Sequence, residues 1–482
     1  MSAKSAAPAT PVRRLPAVHA VLRNAVAGEL SGQFGHDQTV AAVRAAITAA
    51  RTRLRDERTS APAVPTVADL VAVAAAQLAQ RHRPKLTAAV NATGILLHTG
   101  LGRAVLPDAA RAAVAALGGC CSLQIGLDDG ERLEREHIIR ETVTELTGAE
   151  DVLLVNNNAA ATLLVLRALA HGRDVVVSRG ELIEIGGSFR LPDIMAESGA
   201  RLHEIGTTNK THLRDYERAI GPDTALLLKV HKSNYDIVGF THEVGIGELS
   251  RLGRARDVPV VDDIGCGAMT ALEAYGLAHE MTLRESVAAG ADLVLSSTDK
   301  LIGGPQGGLI VGRRALIGRI RAHPLYRAMR VCKMTYAALE ATLRLFKAPE
   351  RLALTHPLYA MLAKPAERIA QQAETLAGLL RAALPTWEVD TVPHQAFLGG
   401  GSLPSQPLVS RAVRLRAPKV ASAELARRLR TAPEPIVPRL HRDALLLDMR
   451  TVDAAELEII VRICRGLVQE ETCLPGSGSP PT

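Results

Sequence analysis

Aromatic side chains are scarce in this 482-residue chain, at 2% of positions. Nucleic-acid binding by stacking of splayed bases therefore finds little support. Cysteine is sparse too. Cys120, Cys121, Cys266, Cys332, Cys464 and Cys473 show neither CxxC spacing nor the density of a small disulfide-built domain. A disulfide scaffold and a zinc cluster are both poorly supported, no metal site is expected, and a reducing cytoplasm fits. No run of about 18 uncharged apolar residues occurs, so no membrane span is expected. The opening stretch lacks the continuous apolar segment of a secretory signal. Net charge is not extreme: +7, with 22% charged and 47% hydrophobic residues, is an ordinary composition able to bury a core. The length argues for two or three domains.

The positive charge is uneven. Residues 1–65 carry nine Lys/Arg against four acids, a net +5, and residues 401–450 carry ten against four, a net +6. The remainder is mildly acidic. Two readings stand: a polyanionic partner touching the basic ends, or arginine-rich helices solvating their outer faces.

Residues 36–58 read as an amphipathic helix, with Val40, Val43, Ile47, Ala50 and Leu54 recurring at steps of 3 and 4. A Pro/Ala stretch ends it, and a second helix follows from Val67 to Arg81. Residues 1–12 read as loose. From about residue 90, five- and six-residue apolar runs alternate with helical stretches: Asp151–Val155, Asp174–Ser178, Ala225–Val230, Pro259–Asp263, Asp292–Ser296 and Gly308–Gly312. Strands alternating with helices imply βα units and a mostly parallel sheet buried on both faces. Residues 335–380 read as helical. A Pro/Gly-rich stretch, Pro385–Pro407, then intervenes before a small α+β unit: strand-like Leu408–Leu415, a helix at Ala421–Arg430, strand-like Ala444–Met449 and a helix at Ala454–Gln469. The tail Pro475–Thr482 reads as disordered. The expected division is a helical domain at 1–85, a catalytic α/β domain at 86–335, an α+β domain at 336–474 and the tail at 475–482.

Ser296-Ser-Thr-Asp-Lys-Leu-Ile-Gly-Gly-Pro-Gln-Gly-Gly308 places a lysine just past a buried strand. Desolvation there disfavours the ammonium and frees a nucleophilic amine, able to form a Schiff base with pyridoxal phosphate. Asp262-Asp263-Ile-Gly-Cys-Gly267 sets a carboxylate at another strand end, suited to pair with a pyridinium nitrogen. Val155-Asn-Asn-Asn-Ala-Ala-Ala161 runs from a strand into an Ala-rich helix, whose first amides suit a phosphate. Each piece alone has a commoner role, as a surface lysine, a helix cap or a turn. Their order within one α/β domain is more specific, and it is the arrangement of the large pyridoxal-phosphate enzyme fold, fold type I.

Longer stretches carry a closer likeness. Asn91-Ala-Thr-Gly-Ile-Leu-Leu-His-Thr-Gly-Leu-Gly-Arg-Ala104, Leu146-Thr-Gly-Ala-Glu150, Ser178-Arg-Gly-Glu-Leu-Ile-Glu-Ile-Gly-Gly-Ser-Phe-Arg190, Gly206-Thr-Thr-Asn209, Ser233-Asn-Tyr235 and Asp299-Lys-Leu-Ile-Gly-Gly-Pro-Gln306, with the Asn-rich segment, resemble the bacterial selenocysteine synthase family of L-seryl-tRNA(Sec) selenium transferases. The resemblance runs from about residue 13 to about residue 470. It implies pyridoxal 5′-phosphate on Lys300, with Asp263 as the pyridinium partner. Asn157, Asn158, Ala159 and Ser297 complete the cofactor site, and Asp299 stands beside Lys300 as a catalytic candidate. Serine's hydroxyl would be eliminated on a seryl-tRNA(Sec), leaving an aminoacrylyl-tRNA to which selenium from selenophosphate adds. Lys300 would be the acid/base, or only the anchor while another group moves the α-proton. Arg103, Arg135, Arg327 and Arg330 match family arginines and would grip the small anion, with Arg327 and Arg330 on one helix face. Thr207, Thr208 and Asn234 would join the substrate site. The N-terminal domain would bind tRNA, the chain would assemble as a ring of dimers, a decamer, and it would be cytoplasmic.

The chain departs from the family pattern in places. Leu133 and Glu134 replace small residues between Arg132 and Arg135, Thr298 replaces a glycine, Lys232 a threonine, Asp236 an arginine and Cys266 a serine. Cys120-Cys121 invites a redox or selenium-handling role, although such pairs are more often plain buried small residues. The alternative function is that of a pyridoxal-phosphate lyase or aldolase paralogue acting on a small sugar acid or amino acid without tRNA. The basic N-terminal domain and the four arginines favour the transferase. Retention of Lys300 and Asp263 disfavours a tRNA-binding protein without catalysis.

Overall fold

A computed structural model describes residues 11–56, 63–186, 189–232, 234–418 and 420–473. The tail Pro475–Thr482 and residues 1–10 of the segment expected to be loose lie outside these residues, as do Gly187, Ser188 and Ser233. Pro11–Arg14, read as partly loose, forms a 3-10 turn.

Met1–Ala88 clusters as one compact unit. Its helices are α1 (Val18–Leu22), α2 (Ala25–Phe34), α3 (His36–Asp56) and α4 (Val67–His82). The periodic positions Val43, Ile47, Ala50 and Leu54 of α3 are buried, and Leu70, Ala74 and Leu78 of α4 form the facing stripe. Thr66 and Asp69 close a capping box on α4. Arg44, Arg51, Arg53 and Arg55 are all exposed.

Ala89–Thr482 forms the second unit. It opens with β1 (Val90–Ala92) and β2 (Ile95–Leu97), followed by α5 (Asp108–Ala115) and α6 (His137–Thr147). Next come β3 (Asp151–Val155), α7 (Asn158–Ala170), β4 (Asp174–Ser178), the ribbon β5 (Glu184–Ile185) and β6 (Phe189–Arg190), and β7 (Arg201–Ile205). The run ends with β8 (Thr224–Val230), β9 (Val260–Gly265), β10 (Leu293–Ser297) and β11 (Gly308–Gly312). The large sheet has the order β3-β11-β10-β9-β8-β4-β7. Only β11 runs antiparallel to its neighbours. Alternation splits each strand between two cores. Val152 and Leu154 of β3 face one, Leu153 and Val155 the other, and β10 and β11 divide likewise. Each of the six apolar runs in the sequence is thus a buried strand, within a residue or two at its ends.

β7 was not among those runs. It is the edge strand, and Arg201, Leu202 and Glu204 face solvent, so its sequence lacks the continuous apolar signature. The second sheet holds a further departure. It has the order β1-β14-β15-β13-β12-β2, with β12 (Glu388–Gly399), β13 (Ser402–Arg416), β14 (Ile436–His441) and β15 (Ala444–Asp448). The Pro/Gly-rich stretch read as intervening is therefore a long hairpin. Pro393 and Pro407 are tolerated because β12 meets β2 only at its end and β13 meets β15 only from Ala412 onward. Strands β1 and β2, far away in sequence, supply the sheet's two edges. Helices Ala366–Ala383, Ser422–Thr431 and Leu457–Cys473 cover one face through Leu376, Leu380, Leu425 and Ile460.

Part of the basic excess at 401–450 is matched locally. Arg414 pairs with Asp390, Arg416 with Glu388, and Arg427 and Arg428 with Glu424. Arg450 is buried, with its guanidinium donating to the Val409 and Met361 carbonyls. Among the described residues no helix is long and apolar enough to cross a membrane.

Candidate active site

The C-terminal ends of β3, β8, β9 and β10 converge on a cleft of about 280 Å³. Lys300 lines it, on the turn that leaves β10, with 6% exposure. Burial pulls its ammonium below the usual lysine value, and Arg103 adds to this, while Cys266, Asp263 and Asp299 work the other way. The turn is held from all sides. Leu301 N donates to the Cys266 carbonyl, Tyr359 Oη to Leu301 O at 3.0 Å, and His356 Nε2 to Ile302 O at 3.0 Å. Thr298, where a glycine was expected, donates its hydroxyl to Pro305 O at 2.5 Å. Gly307 leaves room for it, since a Cβ there would stand 2.7 Å from Thr298 Oγ1.

Burial draws His356 down to about 4, against its hydrogen bond to Ile302. A histidine depressed from 6.5 is neutral in both states at pH 7. As pH falls from 6.5 toward 4 the unfolded chain binds the proton first, so stability is lost over that window. The loss reaches roughly 3 kcal/mol. Equilibrium unfolding should show the parent chain losing about that much more between pH 7 and pH 4 than His356→Gln, whose amide still donates to Ile302. Equal losses would refute the assignment.

Asp263, on β9, is 5% exposed and lines the same cleft. Asn158 Nδ2 donates to its Oδ1 at 2.8 Å and Thr162 Oγ1 to its Oδ2 at 2.8 Å. Burial raises this carboxyl, while those two hydrogen bonds and Lys300 pull it back. Thr162 was missed in the sequence. The signal was its place one turn beyond Asn158, on the same face of α7. Asn157 caps that helix, its Oδ1 accepting from Ala160 N at 2.8 Å. Among the described residues the amides of Asn158 and Ala159 have no partner, and Asn158 Oδ1 is buried without one. Free amides at a helix start suit a phosphate. A buried carboxylate suits a cationic ring nitrogen, and a desolvated amine suits an aldehyde. The residues present therefore fit pyridoxal phosphate. His231 was also missed. It follows β8, lines the cleft, and donates its amide to Asp263 O at 3.0 Å. Ile183, Ile185 and Phe189 add an apolar wall.

Arg103 reaches the cleft and pairs with Asp299, Nη1 to Oδ2 at 2.7 Å. Its φ of 62° is left-handed, an uncommon conformation outside glycine. Ser297 lines the cleft as well. The other expected substrate residues do not line it. Arg135 donates to Gln124 Oε1 at 3.0 Å and to Val331 O at 2.8 Å. Thr207 and Thr208 are exposed beyond β7, the Thr207 hydroxyl bonding the Lys210 carbonyl within its own turn. Asn234 Nδ2 donates to Glu184 O at 2.8 Å and so braces the ribbon that bears Ile185 and Phe189. Arg327 and Arg330 do not share a helix face. Helix Pro324–Ala328 ends between them, so Arg327 is exposed while Arg330 bridges Val155 in extended backbone. Arg330 stacks over Tyr326 at 5.3 Å, and its Nε is buried without a partner among the described residues.

The other departures from the family pattern are absorbed locally. Glu134 pairs with Arg140 and Arg321, Lys232 with Glu243, and Ser405 Oγ donates to Asp236 at 2.5 Å. Cys266 is buried, and its Sγ donates to Glu280 Oε1 at 2.9 Å.

A helix start with free amides, an acid and a lysine, each at a strand end of one mostly parallel sheet, fit a pyridoxal-phosphate-dependent enzyme of fold type I. The solved structure of a D-glucosaminate-6-phosphate ammonia-lyase shares this fold, at a TM-score of 0.55 and 21% identity, covering 82% of this chain and 99% of that one. A family model for L-seryl-tRNA selenium transferase matches residues 89–453, and one for the selenocysteine synthase N terminus matches residues 12–51. The L-seryl-tRNA(Sec) selenium transferase of Solidesulfovibrio magneticus is 46% identical over 473 residues, 95% of this chain and 99% of that protein. That of Moorella thermoacetica is 45% identical over 460 residues, 95% of this chain and 96% of its own length. The chain belongs to the L-seryl-tRNA selenium transferase family.

Proposed function

We propose that this chain converts seryl-tRNA(Sec) to selenocysteinyl-tRNA(Sec), taking selenium from selenophosphate, in the cytoplasm. The observation that carries the reading is near-full-length similarity to transferases of that name together with retention of Lys300, Asp263 and the Asn157–Ala159 helix start in one cleft. Pyridoxal phosphate, when bound, supplies an electron sink for the carbanion left when the α-proton of the seryl group departs.

The chain's own residues do the rest. The Asn158 and Ala159 amides would hold the phosphate. Asp263, kept in place by Asn158 and Thr162, would pair with the ring nitrogen. Lys300, its ammonium destabilised by burial, takes and returns the proton at the reacting carbon. Ile183, Ile185 and Phe189 keep water from that carbon. Arg103, already charge-paired beside Lys300 in the cleft, is the selenophosphate ligand that this chain's own cleft offers. Arg135, Arg327, Arg330, Thr207, Thr208 and Asn234 do not line the cleft of their own chain, so a substrate role for them requires a second copy to complete the site, as the ring of dimers implied by the family resemblance would provide. The exposed arginines of α3 support a phosphate grip on tRNA by the N-terminal unit.

A transfer assay tests this. Purified chain loaded with pyridoxal phosphate should form selenocysteinyl-tRNA from seryl-tRNA(Sec) and selenophosphate, and none from seryl-tRNA(Ser). A loaded chain that leaves seryl-tRNA(Sec) untouched would overturn the reading in favour of a small-molecule lyase.

A further inference from the structure

Strands β1 and β2 are the two edges of the six-stranded sheet, yet only Thr93 and Gly94 join them. Six strands lying flat would set those edges about 24 Å apart. The three Cα steps from Ala92 to Ile95 span at most about 11 Å. The sheet is therefore curled. Asp448, on the inner strand β15, marks the concave face, since a Cβ on Gly94 would stand 2.8 Å from its Cγ. Leu445 and Leu447 of the same strand point the other way, into the helix-covered core.

Two adjoining cavities of about 540 and 700 Å³ lie on this face, with Phe397 and Arg439 as shared walls. Their lining includes Arg414, Arg439, His98, His394 and His441 and, among the described residues, no acid. Arg414 pairs with Asp390, whereas the half-buried Arg439 guanidinium has no partner among the described residues. His394 Nδ1 lies 2.5 Å from the fully buried Asp448 carboxylate, which also accepts from Ser410 Oγ at 2.8 Å. That fixes the imidazole and leaves its Nε2 uncommitted. Ser402 lines the smaller cavity at 1% exposure, and its hydroxyl has no partner among the described residues. His98 lines the same cavity, and its Nδ1 is buried without a partner as well. Buried polar atoms left unpaired are costly, and a ligand that bonds them removes that cost.

We propose that this groove binds a nucleotide unit, with its base against Phe397, its phosphate on Arg439, and Ser402, His98 and His394 bonding its polar edges. The unpaired guanidinium and the absence of acids from the lining call for an anion, and a guanidinium fork matches phosphate oxygens. The half-buried Phe397 ring between the two cavities offers a flat apolar face, which suits a base. A single unpaired nucleotide needs one such ring, so the scarcity of aromatics elsewhere is no obstacle. The unit comes from a free nucleotide or from the unpaired end of an RNA, and the second source rests on the seryl-tRNA(Sec) reading. The groove also adjoins the catalytic cleft in sequence: the His98 carbonyl accepts from the Arg103 amide at 3.0 Å, within one tight turn.

Adenosine 5′-monophosphate and a single-stranded RNA tetranucleotide are titrated separately into the full-length, cofactor-loaded chain by calorimetry, with adenosine and inorganic phosphate alongside. At least one of the two nucleotide probes should bind about tenfold or more tighter than adenosine or phosphate. Arg439→Ala should weaken it by about tenfold and leave adenosine unchanged, and Phe397→Leu should weaken it by about fivefold. Tighter binding of the tetranucleotide assigns the groove to RNA, and tighter binding of the monophosphate assigns it to a free nucleotide. None of these measurements needs turnover, so they hold whether or not the chain transfers selenium. Photolabelling of the parent chain with 8-azidoadenosine 5′-monophosphate needs no variant, and the label should fall within residues 388–404 or 436–448. Absence of binding by both nucleotide probes, phosphate bound as tightly as they are, full affinity in Phe397→Leu, or label confined to other segments would each overturn the proposal.

Discussion

Lys300→Ala should fold, should lose the visible absorbance of lysine-bound pyridoxal phosphate, and should lose turnover by a factor on the order of 10³ or more. The size of the effect follows from the architecture around the residue. Lys300 is buried at the end of a central strand, and the next two residues of its turn, Leu301 and Ile302, are fixed by contacts from Cys266, His356 and Tyr359. None of those contacts uses the lysine side chain, so truncation leaves the turn tied while removing the amine. The neighbouring Asp299 remains paired with Arg103, and Asp263 remains held by Asn158 and Thr162. Absorbance after removal of free cofactor, with a single-turnover assay, measures both losses. Lys300→Arg separates the amine's role from its charge: it keeps a cation at the position and should be equally inactive. Either variant retaining the cofactor absorbance would show that another residue holds the group.

How much of this was legible beforehand depends on the residue. The order of helix start, acid and lysine could be read because each stands where a fully buried strand ends, and such strands announce themselves as short apolar runs. The edge strand β7 could not, because Arg201, Leu202 and Glu204 face solvent. The hairpin of β12 and β13 was hidden by prolines that are admissible only where a strand lacks a second neighbour, a fact about pairing that local composition does not carry. Thr162 and His231 act through contacts to Asp263 from different elements, at sequence separations of about 100 and about 30 residues. Arg327 and Arg330 misled for a local reason. Three-residue spacing implies a shared face only inside a helix, and this one stops at Ala328. The departures from the family pattern find local partners in the fold, as Thr298 does in Pro305 and Glu134 in Arg140 and Arg321.

Gly308→Ala should weaken pyridoxal phosphate binding at least tenfold and lower Tm by about 1–3 °C. Gly308 opens β11 and lies between Val155 and Ser297, the strand ends that carry the phosphate site and the lysine. A Cβ placed there would stand 2.2 Å from the Asn157 carbonyl oxygen and 2.5 Å from its carbon. Both are backbone atoms, so no side chain can rotate away to relieve the overlap. Either β11 separates from β3 or Asn157 shifts, and the second course moves the cap and the first amides of α7. Overpacking of this kind costs about 1–3 kcal/mol, which corresponds to a Tm decrease of about 1 °C per kcal/mol for a unit of this size. A displacement of the phosphate amides worth about 1.4 kcal/mol is a factor of ten in cofactor affinity. Gly318→Ala is the matched control. It lies in helix Arg314–Ala322, and a Cβ there meets nothing within 4 Å. That substitution should stabilise by up to about 1 kcal/mol through helix propensity and leave cofactor binding unchanged. Thermal unfolding and cofactor titration of the two variants measure the contrast. If Gly308→Ala bound pyridoxal phosphate as tightly as Gly318→Ala, the close approach of β11 to the start of α7 would not be what holds the phosphate site in place.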